Sequence, residues 1–160
     1  MLNINILCVG KIKENYLKEA INEYSKRLSK YCNLNIIEVA DEVVPNKLSE
    51  NVIEEIKNKE AGKMLEQLKK ETYLISLDLK GKQYTSEEFS QKIQDIAVQG
   101  NSSITFVIGG TLGIGKEVLD KSKEKICFSK MTFPHQLIRV FVLEQIFRAF
   151  KISAGETYHR

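Results

Sequence analysis

Three stretches of this chain concentrate residues that can do chemistry. Ile104–Ile108 is a short apolar run that empties into Gly109-Gly-Thr-Leu-Gly-Ile-Gly115. Ser129-Lys-Met-Thr-Phe-Pro-His135 follows about a dozen residues later, ahead of a long apolar segment. The chain ends in Tyr158-His159-Arg160: an aromatic, an imidazole and a cation beside a carboxylate. Glycine belongs where φ is positive or where another molecule approaches the backbone. On its own the glycine run is equally a tight turn. The second stretch tips the balance, because Ser129 and Thr132 beside Met131 and Phe133 suit a ligand with an apolar body and hydrogen-bonding edges, such as an adenosine.

Two familiar glycine motifs do not fit. Gly110-x-x-x-x-Gly115-Lys116 approaches a P-loop, but Glu117 stands where a magnesium-binding Ser or Thr is needed, and no acid follows on the next strand. Gly113-x-Gly115-x-x-Val118 lacks the third glycine of a dinucleotide fingerprint and follows the fourth strand rather than the first.

The elements that must position these stretches alternate strand and helix. Strands are expected at Leu2–Val9, Leu34–Val39, Tyr73–Leu79, Ile104–Ile108 and Ile126–Phe128. Helices are expected over roughly 13–31, 49–70, 86–99, 117–122 and 134–152, with Ser49 and Ser86 as N-caps and Gly81 as a turn. This is the pattern of an α/β protein, a parallel sheet with helices on both faces. Ligands of such sheets lie beyond the carboxyl ends of the strands, where both special loops fall.

A chain of 160 residues, with no repeat and no linker, is read as one domain over 1–160. The net charge of +3 permits a polyanionic partner without advertising one. Three scattered cysteines and two histidines argue against a zinc site or a disulfide framework, so no metal is expected. Reduced thiols, and no charge-free apolar run of spanning length, suggest a cytoplasmic protein that does not enter a membrane.

The segment Gln136–Ile152 is apolar in every direction. One side meets the sheet. The other either meets a second subunit, giving a symmetric dimer, or makes this a central helix of a monomer. Arg139 and Arg148 within it either pair, for instance with Glu144, or line a cleft for phosphate.

Together these residues carry a resemblance. Phe106-Val-Ile-Gly-Gly110, Phe128-Ser-Lys-Met-Thr-Phe-Pro-His135, Glu144-Gln-x-x-Arg-Ala149 and the Tyr-His-Arg ending resemble the small SPOUT-class RNA methyltransferases. The likeness is narrowest to the ribosomal large subunit methyltransferase H family. It runs the whole length and includes Cys8-Val-Gly-Lys-Ile-Lys13 and Leu77-Asp-Leu-Lys-Gly-Lys82.

The resemblance implies a trefoil knot at the C-terminal end of the sheet and a homodimer. It implies S-adenosylmethionine as cofactor, held by Leu77, Gly109 and the segment Phe128, Ser129, Lys130, Met131, Thr132 and Phe133. The implied reaction is methylation of pseudouridine N3 in a hairpin loop of 23S rRNA, within the assembled ribosome or large subunit. N3 carries a proton that must be removed or its anion stabilised, which makes His159, Tyr158 and His135 the catalytic candidates. Arg139, Arg148 and Arg160 are the candidates for holding RNA phosphate. The alternative is a fold of the same type that binds RNA or a nucleotide without chemistry.

Overall fold

The first strand dictates the layers. In β1 (Leu2–Val9) Ile4, Ile6 and Cys8 point to one face, while Leu7 and Val9 point to the other, and all five are buried. A strand buried on both faces belongs inside a parallel sheet covered twice. The computed structural model describes residues 1–158 and has that arrangement. Five parallel strands lie in the order β2-β1-β4-β3-β5, with β2 at Cys32–Val39, β3 at Tyr73–Lys82, β4 at Ser103–Ile108 and β5 at Glu124–Ile126. In register, Ile6 stands between Ile36 and Phe106.

Helices α1 (Asn15–Leu28), α3 (Ser86–Val98) and α5 (Leu137–Ser153) cover one face around Ile6, Phe106, Ile93 and Ile146. Helices α2 (Glu50–Gln67) and α4 (Lys116–Lys121) cover the other around Leu7, Val107, Met64 and Val118. Every expected element is present. The boundaries shift where local chemistry overrides pattern. Thr85, not Ser86, caps α3, its hydroxyl accepting the Glu88 N–H at 3.1 Å. Helix α5 starts at Leu137 rather than Pro134.

Gly81 does not turn the chain. It carries β3 on to Lys82 while pressed against β5, where a Cβ would sit 2.6 Å from the Ile126 carbonyl carbon. The register between β3 and β5 slips here, so Ile126 faces both Leu77 and Lys82. Strand β5 accordingly ends at Ile126, and Cys127–Phe128 leave the sheet into the loop that the site uses.

Candidate active site

Strands β3, β4 and β5 end side by side, and their following loops enclose a cleft of about 300 Å³. Its floor is apolar: Leu77, Ile108, Ile114, Ile126 and Ile138. One wall is the glycine hairpin. Gly113 has φ +99°, which a side chain would resist. Its N–H donates to the Gly110 carbonyl at 3.1 Å, closing the turn. Gly109 abuts the returning strand so closely that a Cβ would fall 2.8 Å from the Gly113 carbonyl carbon. The hairpin therefore offers backbone edges and almost no side chain.

The opposite wall is the segment after β5. The Cys127 thiol donates to the Ser129 carbonyl at 2.9 Å, and the Ser129 hydroxyl accepts the Met131 N–H at 3.0 Å. Met131 and Phe133 are exposed at the mouth, with Phe133 edge-on to Phe141 at 5.2 Å. Apolar walls with backbone donors and acceptors fit an adenosine, which has flat apolar faces and polar edges. Among the described residues no cluster of side chains could hold a metal ion.

The structure brings seven of the eight expected cofactor residues to this cleft: Leu77, Gly109, Phe128, Ser129, Met131, Thr132 and Phe133. Lys130 is exposed and off its wall. His135 stands at the mouth, half-buried; burial and then the Arg139 charge hold its imidazole below the usual range, so it is neutral at pH 7.

The arginines are placed differently from one another. Arg139, expected at RNA phosphate, is 1% exposed. Its guanidinium donates to Glu38 at 2.8 Å and to the Val9 and Gly10 carbonyls at 2.8 and 2.7 Å. It closes the end of β1, which is a core role. Arg148 takes the pairing alternative, donating to Glu144 at 2.7 Å, and its guanidinium lies 4.9 Å over the Tyr158 ring. Tyr158 donates to both Glu144 oxygens at 3.1 Å and stacks edge-on against Phe147. It does not line the cleft. His159 and Arg160 lie outside the described residues.

A second apolar hollow of about 300 Å³ adjoins the cleft, sharing Ile126, Cys127, Phe128 and Phe133, with Tyr84, Phe89 and Gln145 on its far side. Sequence reasoning also passed over Glu60, which is buried behind the glycine hairpin. It hides in a run of alternating charges on α2. The available signal is its spacing: Ile56, Glu60 and Met64 recur every four residues on the inward face.

A family model described as predicted SPOUT methyltransferase matches residues 2–159. A Clostridium acetobutylicum protein named ribosomal RNA large subunit methyltransferase H is 58% identical over 159 residues, covering 99% of this chain and all of the relative. A protein of the same name from Clostridium botulinum Eklund 17B is 57% identical, and one from Clostridium perfringens strain 13 is 54% identical, over the same shares. With a family match over nearly its whole length and relatives above half identity, the chain belongs to the SPOUT methyltransferase family and is a methyltransferase.

Proposed function

We propose that this chain transfers the methyl group of S-adenosylmethionine to N3 of a pseudouridine in the large-subunit rRNA, as a homodimer acting on the assembled ribosome in the cytoplasm. The carrying observation is the cleft at the ends of β3, β4 and β5, whose apolar floor and glycine wall fit an adenosyl group. The names of the relatives supply the substrate class. The trefoil threading belongs to the same proposal. It is supported by the close approach and register shift of β3 and β5 at Gly81 and by the Cys127 N–H donating to the Lys82 carbonyl at 2.9 Å, which pin the loop after β5 to the end of β3.

When bound, the cofactor supplies a methyl group already activated as a sulfonium. Leu77, Gly109, Phe128, Ser129, Met131, Thr132 and Phe133 would hold it, and the walls would exclude water from its apolar faces. Fixing a reactant pair in line lowers a barrier by up to ~7–11 kcal/mol in the best intramolecular cases. Neutral His135 at the mouth has a ring nitrogen able to accept the N3 proton. The outward face of α5 carries the exposed Phe141 with Leu137, Glu144 and Arg148, and there the second copy packs. Tyr158 is seated on Glu144; the roles of His159 toward the base and Arg160 toward phosphate, residues outside those described, belong to the same proposal.

Isothermal titration with S-adenosylmethionine tests the cleft. Saturable binding at micromolar to submillimolar concentration is expected; no heat at millimolar cofactor refutes the reading and leaves a nucleotide- or RNA-binding module. His159→Ala is expected to slow methyl transfer with cofactor affinity unchanged, and an equal loss of both sinks the role given to the tail.

A further inference from the structure

Glu60 is the one buried carboxylate among the described residues, at 4% exposure. Its Oε2 accepts the Glu42 N–H at 3.0 Å. Its Oε1 has no hydrogen-bond partner among the described residues and is aimed at the glycine hairpin, 3.1 Å from where a Cβ on Gly110 would sit. No cation among the described residues forms an ion pair with it. Lys63, one turn on, is held by Glu42 at 2.9 Å and by the Ala40 carbonyl at 3.1 Å. The other titratable groups facing it are Asp41 and Glu42 on the loop after β2 and His135 ahead of α5.

A carboxyl group in such a place is costly. A leucine or methionine at position 60 would pack between Ile56 and Met64 with no desolvation penalty. Its surroundings indicate what it faces. Glu60 borders a cavity of about 30 Å³ together with Gly110, Thr111, Leu112 and His135. Those same four residues line the large cleft. The hairpin is therefore a partition one chain thick, with the buried carboxyl on one side and the cofactor cleft on the other.

The two species that must exchange in that cleft differ by one charge. The methyl donor carries a permanent positive sulfonium, and the demethylated product is a neutral thioether; the adenosine and the amino-acid ends are common to both. In a poorly screened interior, opposite charges attract across several ångströms. One carboxylate, Asp78, lines the cleft itself. We infer that Glu60 is a second, buried counter-charge: acting through the Gly110–Leu112 partition, its carboxylate adds to the preference for the sulfonium donor over the thioether product and so biases which of the two is retained. This inference rests on the proposed S-adenosylmethionine reading.

Linkage follows from the same geometry. Burial, as the largest cause, pushes the Glu60 carboxyl above its ordinary value, which favours the protonated form when no cation is near. A sulfonium beyond the partition favours the ionised form. Donor binding therefore expels a proton, and the donor binds more tightly as pH rises, whereas the thioether does neither.

Calorimetric titration of S-adenosylmethionine and S-adenosylhomocysteine into wild type and Glu60→Gln tests the inference, each in two buffers of different ionisation enthalpy. The preference for the sulfonium is expected to fall about tenfold in the variant, a change of about 1.4 kcal/mol, with thioether affinity unchanged within about twofold. Proton release on donor binding is expected in wild type and not in Glu60→Gln. An unchanged preference, or an equal weakening of both ligands, overturns the inference and makes Glu60 a packing residue. Should Glu60→Gln fail to fold, His135→Asn decides: with the imidazole at the mouth removed, the preference for the sulfonium still rises between pH 5.5 and 8, and a flat ratio overturns the inference. If wild type binds neither ligand, the cofactor reading falls with it; if it binds both without preference, only the counter-charge falls.

Discussion

Replacing Arg139 separates a core role from an RNA-binding one. The side chain is 1% exposed and makes three charge-assisted hydrogen bonds, to Glu38 and to the carbonyls of Val9 and Gly10. Arg139→Met keeps an apolar stem of similar reach and removes all three. Hydrogen bonds to charged groups contribute roughly 1.5–3 kcal/mol each, but they are not additive here. Glu38 is 33% exposed at its side chain and rehydrates, so most of the cost falls on the two carbonyls. Breaking one side of a buried pair typically costs about 3–5 kcal/mol, and about 4 kcal/mol is expected. For a domain of this size that lowers Tm by roughly 8–16 °C. Arg139→Lys, whose single ammonium cannot reproduce the fork, falls between. The assay is thermal unfolding by circular dichroism at fixed protein concentration, beside the salt dependence of rRNA binding. A Tm within about 2 °C of wild type, with a salt slope reduced by about one, would mean that Arg139 holds a phosphate and that its core role is misread.

Gly81→Ala drives a methyl to 2.6–2.7 Å from backbone atoms of Ile126 and Lys125, so β5 must move; a loss of about 1–3 kcal/mol is expected, with cofactor affinity down more than about tenfold by calorimetry. An unchanged affinity would show that the close β3–β5 contact at Gly81 does not hold the cofactor loop. Glu124 accepts hydrogen bonds from Tyr84 and Tyr73 and pairs with Lys92 at 3.0 Å. Burial raises its carboxyl, but these partners together bring it below its ordinary value. Its contribution is thus present above the ordinary carboxylate range and lost as pH falls through the lowered folded value. Glu124→Gln is expected to flatten the acid side of the stability–pH curve, and an equally steep curve rejects this. Glu144→Gln loosens Arg148 and Tyr158 together, and is expected to speed carboxypeptidase trimming of the tail and slow methyl transfer while cofactor affinity holds. A tail trimmed at the wild-type rate argues against that anchor.

The layers of this fold were legible because strand and helix alternate along the chain and the helices keep a helical period. The cleft was legible because Gly109–Gly115 and Ser129–His135 both follow strands. What stayed hidden depends on contacts between distant segments. That Gly81 continues a strand is decided by the backbone of Ile126, forty-five positions on. That Arg139 belongs to the core is decided by Glu38 and by the carbonyls ending β1, neither of which its own helix reveals. Glu60 lies in a run of charges on α2 that drew no notice in the sequence, and only the packing of α2 behind the glycine hairpin buries it. The order β2-β1-β4-β3-β5 likewise has no counterpart in periodicity, since each crossover is set by which faces remain to be covered.

The central claim is that this chain places one methyl on pseudouridine N3 of large-subunit rRNA. The direct measurement is mass spectrometry of nucleosides from ribosomes lacking that methyl, incubated with the purified protein and S-adenosylmethionine bearing a deuterated methyl group. The expected result is a single labelled 3-methylpseudouridine in the large-subunit rRNA. Label on another nucleoside, or on none while the cofactor binds, contradicts the claim.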